Sequence, residues 1–201
     1  MALDLFSRRS AKDREQYGDR LPPGQKVTDG WPVLHYGGIP EVDLATWKFS
    51  VVGDVEDEAH FTWEEFLALP QTELRSDIHC VTHWSKFDNN WTGVKFLDLM
   101  QRVRPKPGAK HVMAHSYGGY TTNIPLAELM NDDVMLAHKH SGEPLVKDHG
   151  WPMRLVVPKL YFWKSAKWLR GLAFMDEERP GFWEMYSYHI HGDPWTEERY
   201  S

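Results

Sequence analysis

Asp77-Ile78-His79-Cys80-Val81-Thr82-His83-Trp84, followed by a loop to Trp91-Thr92-Gly93-Val94, gathers more chemistry than any other stretch of this chain. Leu74 to Val81 predicts a strand leading into the cysteine. Cys80 is the only cysteine, and a lone thiol has no internal disulfide partner. It is therefore a buried small hydrophobe, a nucleophile or a metal ligand. With 11 histidines in 201 residues, some fall near Cys80 by chance. His79, Cys80 and His83 would supply three zinc ligands. Neighbouring strand residues point to opposite faces, however, so His79 and Cys80 converge only on an irregular backbone.

The totals narrow the class. A chain of 201 residues predicts one domain with a real core. Ten tryptophans must pack inside or line a pocket. A net charge of −6 argues against a nucleic-acid or anionic-membrane surface. One cysteine fits a reducing compartment. No apolar run approaches the roughly 18–20 residues that span a bilayer. Ser7-Arg8-Arg9 matches the paired arginines of an export signal, but Ser10-Ala11-Lys12-Asp13-Arg14-Glu15 supplies no apolar h-region. A cytoplasmic protein without a membrane span is expected.

Residues 1–30 are polar, contain Pro22-Pro23-Gly24 and Asp29-Gly30, and read as an N-terminal arm and loop. Residues 31–201 read as one domain. It opens on the turn-rich Trp31-Pro32-Val33-Leu34-His35-Tyr36-Gly37-Gly38. Trp47 to Val52 alternates as a strand, and Thr62-Trp63-Glu64-Glu65 is a capping box that starts a short helix ending at Pro70. Phe96, Leu97, Leu99, Met100 and Val103 follow helical spacing, ended by Pro105 and Pro107. His111–His115, Val134–His138, Arg154–Pro158 and Lys167–Met175 read as strands, and Ile124-Pro125-Leu126 opens a short helix. Many short strands with a few short helices indicate an α+β fold.

A second dense region is Asp148-His149-Gly150-Trp151-Pro152-Met153-Arg154, followed by Tyr161-Phe162-Trp163-Lys164-Ser165-Ala166-Lys167-Trp168. An inward-facing Arg154 on an apolar strand needs an anion, and Lys164 and Lys167 add positive charge nearby. That set suits a phosphate. A carboxylate partner for Arg154 and solvated lysines are the plainer alternative.

Taken in order, several pieces resemble the molybdenum-cofactor domain of the sulfite oxidase family, specifically its small stand-alone bacterial sulfite-oxidase-like oxidoreductases. They are Cys80 with Trp91-Thr92-Gly93-Val94, the run from Ser116 to Leu126, Leu136-Ala137 with Gly142-Glu143-Pro144-Leu145, and the run from His149 to Pro158. Lys164-Ser165-Ala166-Lys167-Trp168 and Gly181-Phe182-Trp183-Glu184 complete the series. The resemblance implies a mixed α+β fold around one molybdopterin, a pyranopterin dithiolene carrying molybdenum. It implies Cys80 as the protein thiolate on the metal. Arg154, Ser165 and Lys167 match pterin and phosphate contacts, and His149 a further hydrogen bond to the cofactor. His35 and Tyr36 match an N-terminal contact, and either His115 or Ser116 another.

The resemblance implies an enzyme: a molybdopterin-dependent oxidoreductase that transfers an oxygen atom in sulfite oxidation or S-oxide reduction. The haem domain and the immunoglobulin-like domain of larger relatives do not fit in 201 residues, so a separate electron-transfer partner is expected beside the small-molecule substrate. The arginine that follows the ligand cysteine in sulfite oxidases has no counterpart in Val81-Thr82-His83-Trp84-Ser85-Lys86, which leaves His83 and Lys86 as candidates for substrate positioning. The alternatives are a non-catalytic aromatic-rich binding domain or a zinc site at His79, Cys80 and His83.

Overall fold

The computed structural model describes residues 12–201; the arginine pair at 8 and 9 lies outside them. The strands are β1 (Lys26–Val27), β2 (Phe49–Gly53), β3 (Ala59–Phe61), β4 (Thr72–Cys80), β5 (Trp84–Lys95) and β6 (His111–Ser116). They continue with β7 (Thr121–Pro125), β8 (Met135–His140), β9 (Glu143–Pro144), β10 (Arg154–Val156) and β11 (Leu169–Met175). Residues 12–17 are helical, and the α-helices that follow are α1 (Trp63–Leu67), α2 (Phe96–Val103) and α3 (Leu126–Leu129). One sheet runs β1-β5-β8-β10, with β4 on β5 and β9 on β8; the other runs β3-β2-β11-β6-β7. The second sheet is mixed, because β11 is parallel to β2 and antiparallel to β6. This is the α+β architecture that the short alternating segments imply.

Local signals position several elements. The Thr62 hydroxyl accepts from Glu65 N while the Glu65 carboxylate accepts from Thr62 N, a complete capping box that starts α1. In α2 the buried side chains are Phe96, Leu99, Met100 and Val103, one apolar stripe at helical spacing. It packs into the larger core with Trp47, Phe49, Phe66, Leu136 and Leu155. A smaller core gathers Ile78, Cys80, Trp84, Trp91, Ala137 and Tyr161 beside the cysteine.

The segment after Cys80 is a strand, not the expected loop. β5 runs through Asp88-Asn89-Asn90, residues that strands disfavour; Asn89 and Asn90 pair with β4, and β8 joins on the other side from Trp91 onward. An irregularity in the β4 pairing and a positive φ of 59° at Asp88 absorb the polar run. The buried Asn89 amide donates to Ser76 O and Lys86 O, and Arg20 holds both Asp77 and Asp88. β7 also lies where only a turn and a helix start were expected.

Gly93 lets β5 and β8 close on each other, since a Cβ there would sit 2.0 Å from Leu136 O. The three nearest atoms, in Leu136 and Ala137, are all backbone, so nothing flexible gives way. Gly93→Ala is expected to cost about 2–3 kcal/mol, read as a lower urea midpoint with an unchanged slope. An unaltered midpoint would mean the strands are not in this register.

The N-terminal segment contributes structure as well as loop. β1 pairs in parallel with β5, Leu21 and Gln25 are fully buried, and Asp13 accepts from Val27 N.

Candidate active site

A cavity of about 250 Å³ opens beside Cys80, lined by residues of both dense regions of the sequence. Cys80, Thr82 and Trp84 form one wall, and Arg154, Ser165 and Lys167 another, while Trp31, His35 and Tyr36 contribute from the segment before β2. Cys80 is the last residue of β4, so its sulfur stands at the end of a hairpin. A tight turn follows, with His83 at φ 68° and its amide donating to Cys80 O. Sγ lies 3.1 Å from Thr82 Oγ1. Burial pushes the Cys80 thiol up, opposed by the Thr82 hydrogen bonds and by the charges of Arg199 and Lys167.

The zinc triad does not assemble. His79 faces away from the cavity, with Nδ1 2.8 Å from Ser85 Oγ and its ring edge-on to Trp195. Burial lowers its pKa to about 4. His83 turns its Nδ1 to Gly24 O. Among the described residues no group of three or more His, Cys, Asp or Glu is placed to hold a metal ion.

Arg154 is fully buried, yet its guanidinium donates only to main-chain carbonyls: His149 O, Ser165 O and, more weakly, Leu155 O. It lies over the Phe162 ring at 4.1 Å and near Trp31 and Trp91. Burial lowers its pKa to about 9, so it stays cationic at neutral pH. Lys167 Nζ likewise donates to Leu34 O and Asp148 O. Two desolvated cations held by neutral carbonyls leave their charge uncompensated, which is costly unless an anion completes the site. Ser165 accepts from Val157 N at 2.9 Å, leaving its own hydroxyl proton to donate. Trp84 Nε1 is buried with no partner. A soft sulfur, two anion-seeking cations and an orphaned donor on one aromatic cavity fit a thiolate-ligated metal carried by a phosphate-bearing ring. Gly150 (φ 108°) makes room, since a Cβ there would press on Arg154 and Lys167 side chains at 3.1–3.2 Å.

Lys167 supplies a pH signature. Burial, then the Arg154 charge, lower its pKa from 10.5 to about 7. The unfolded chain therefore binds more protons than the folded one between those values, and the cofactor-free protein is expected to gain stability as pH rises through that window. A bound phosphate would restore the charge with proton uptake, so cofactor retention should weaken over the same rise. Urea unfolding between about pH 6 and about pH 9.5 checks this against Lys167→Met, which should flatten the slope. Equal slopes would contradict it.

The remaining sequence candidates divide. His35 and Tyr36 line the cavity; His35 Nδ1 is 2.9 Å from Gly37 O, and Tyr36 packs on Phe182. His149 stacks on Trp31 with ring centres 3.8 Å apart, and its Nδ1 is buried without a partner. His83, Lys86, His115, Ser116 and His149 are not in the cavity lining. His115 is exposed on β6, whereas the adjacent Ser116 is buried with its hydroxyl unpartnered. Lys164 does not add charge beside Lys167. It is buried in an ion pair with Glu184 at 2.6 Å and also donates to Asn123 O and Ile190 O. The aromatic wall was foreshadowed only by composition: Trp31, Trp84, Trp163, Trp168 and Trp183 line the cavity, half of the ten tryptophans.

This arrangement fits a protein that holds a molybdopterin cofactor. The family model described as the oxidoreductase molybdopterin binding domain matches residues 36–183. The chain is 46% identical over 183 residues to the uncharacterized oxidoreductase YuiH of Bacillus subtilis (strain 168), covering 90% of this chain and 92% of that one. It is 30% identical over 173 residues to the putative protein-methionine-sulfoxide reductase subunit YedZ1 of Azospira oryzae, covering 85% of this chain and 66% of that one. The structure of the sulfane dehydrogenase SoxCD from Paracoccus pantotrophus superposes with a TM-score of 0.64 at 28% identity, over 71% of this chain and 41% of that one. The chain belongs to the molybdopterin-binding oxidoreductase family and is a sulfite-oxidase-like enzyme. That membership sets aside the non-catalytic reading. Among the described residues no helix is long and apolar enough to cross a membrane.

Proposed function

We propose that this enzyme transfers an oxygen atom on a small sulfur compound, with an uncharged S-oxide as the favoured substrate and a separate redox partner for the electrons. The carrying observation is that Cys80 shares one cavity with Arg154 and Lys167, whose hydrogen bonds end on main-chain carbonyls. Molybdopterin, when bound, supplies two-electron oxygen-atom transfer. Cys80 would be its thiolate ligand, a strongly donating sulfur that stabilises a high-valent metal. Arg154 and Lys167 grip the phosphate, and Ser165, His35 and Tyr36 line the pterin. His149 Nδ1 and the Ser116 hydroxyl are buried and unpartnered but lie outside the cavity lining, so neither is assigned to the cofactor.

The cavity wall supports the S-oxide. Arg154 and Lys167 are its lysine and arginine side chains, and both are assigned to the cofactor; Tyr120, Trp163, Trp183 and Tyr188 make much of the rest. An anion such as sulfite would need a further cation in that aromatic setting. An S-oxide needs a ring to pack on and a hydroxyl near its oxygen, and Thr82 stands beside the sulfur. Reduction consumes two electrons and two protons and yields the thioether and water. YedZ1 carries a sulfoxide reductase description, which agrees. The test is a rate comparison on purified enzyme: dimethyl sulfoxide with a reduced viologen against sulfite with ferricyanide. Faster turnover of the sulfoxide supports the reading, and turnover of sulfite alone overturns the substrate choice.

A further inference from the structure

The turn that carries Cys80 is held from outside by both ends of the described chain. Gln25 Nε2 donates to Cys80 O at 3.0 Å, and Arg199 Nη1 donates to Val81 O at 2.6 Å. Lys26 N donates to His83 O at 3.1 Å, so the turn is bonded at three of its carbonyls. Arg199 is 7% exposed, which is unusual for an arginine near a chain end. Its guanidinium lies 4.9 Å above the Tyr161 ring, reaches Pro23 O at 3.4 Å and sits 3.6 Å from the Glu197 carboxylate. Neither Gln25 nor Arg199 falls within residues 36–183, where the family model matches.

We propose that Arg199, assisted by Gln25, is a positioning residue for the Cys80 sulfur, locking the peptide planes on its C-terminal side so that Sγ is presented to the cavity in one orientation. The inference rests on Cys80 being the metal ligand. A hairpin end at a cavity mouth opens easily, and a charge-assisted hydrogen bond to its carbonyl resists that opening. Groups that fix the backbone around a ligand restrict where its side chain points, as hydrogen bonds on the ligand itself do. The Arg199 carbonyl also accepts from His189 N, so the tail is tied down on both sides of the guanidinium. A mere anchor for the C-terminus has no need to direct its Nη1 at the carbonyl of the residue after the ligand, the shortest of its hydrogen bonds.

Two readouts separate positioning from anchoring. In cofactor-free protein, Arg199→Gln should speed amide exchange at His83, which is bonded to Cys80 O, by about ten- to a hundredfold. Exchange at Ala114, in the middle of β6 in the other sheet, should change by less than about twofold. In the molybdenum-loaded protein the same variant should shift the Mo(V) paramagnetic resonance g-values at wild-type metal content. Gln25→Ala should shift them less. Arg199→Lys keeps the charge but not the fork, and should fall between wild type and Arg199→Gln on both readouts; it carries the test if Arg199→Gln does not fold. Exchange at His83 that is unchanged, or that rises only in step with Ala114, overturns the proposal. So do wild-type g-values in every variant. Wild-type protein without molybdenum would instead remove the metal-ligand reading, while the exchange comparison would still decide whether Arg199 holds the turn.

Discussion

Cys80→Ser is expected to abolish turnover while shifting the unfolding midpoint by no more than about 1 kcal/mol equivalent. The fold tolerates the change because the side chain sits at a hairpin end beside the Thr82 hydroxyl, which can partner a serine, and because the strand pairing at Cys80 and Trp84 is backbone. The chemistry does not tolerate it. A serine hydroxyl has a far higher pKa than a thiol, so it does not deprotonate as readily on metal binding, and its harder oxygen makes a less covalent bond. No neighbouring sulfur can replace it, since Cys80 is the only cysteine. Steady-state rates with urea unfolding of the same preparation check both halves. Full activity in the serine variant would remove the sulfur from the mechanism.

Arg154→Ala is expected to release most of the cofactor, with pterin recovered from purified protein falling by at least about tenfold. It should also destabilise the fold by about 3–5 kcal/mol, because a fully buried side chain leaves a hole among Phe162, Trp31 and Trp91 and strips carbonyls of their donor. Arg154→Met separates the two effects. It refills the volume and removes the charge, and replacing a buried ion by a hydrocarbon of similar size is often neutral for stability. The methionine variant should therefore recover much of the unfolding midpoint but still lose the pterin, read by fluorescence of the released, oxidised cofactor. Wild-type pterin content in Arg154→Met would show that the guanidinium serves the fold and not the phosphate.

Elements with a local chemical signal were legible in the sequence. The capping box at Thr62 and the apolar stripe of α2 formed as read, because hydrogen bonds and packing within a few residues specify them. β5 was hidden because Asp88, Asn89 and Asn90 sit in its middle, and their strand geometry depends on Arg20, Ser76 and β8, which are remote in sequence. The site was legible in pieces. Cys80 and Arg154 each stood out, but spacing alone could not show that the hairpin end and β10 face one cavity. Lys164 and Lys167 look equivalent on the page. The tail decides between them, since Glu184 takes Lys164 into a buried pair and leaves Lys167 to the cavity. Arg199 carried no signal, because a lone arginine near a chain end is ordinarily solvated.

The activity of this enzyme depends on what Cys80 holds. Metal analysis and pterin release on purified wild-type protein, expressed with ample molybdate, test that directly. The expected result is about one molybdenum and one pterin per chain, both lost in Arg154→Ala. Protein that folds with neither, or that carries a single zinc in their place, would contradict it.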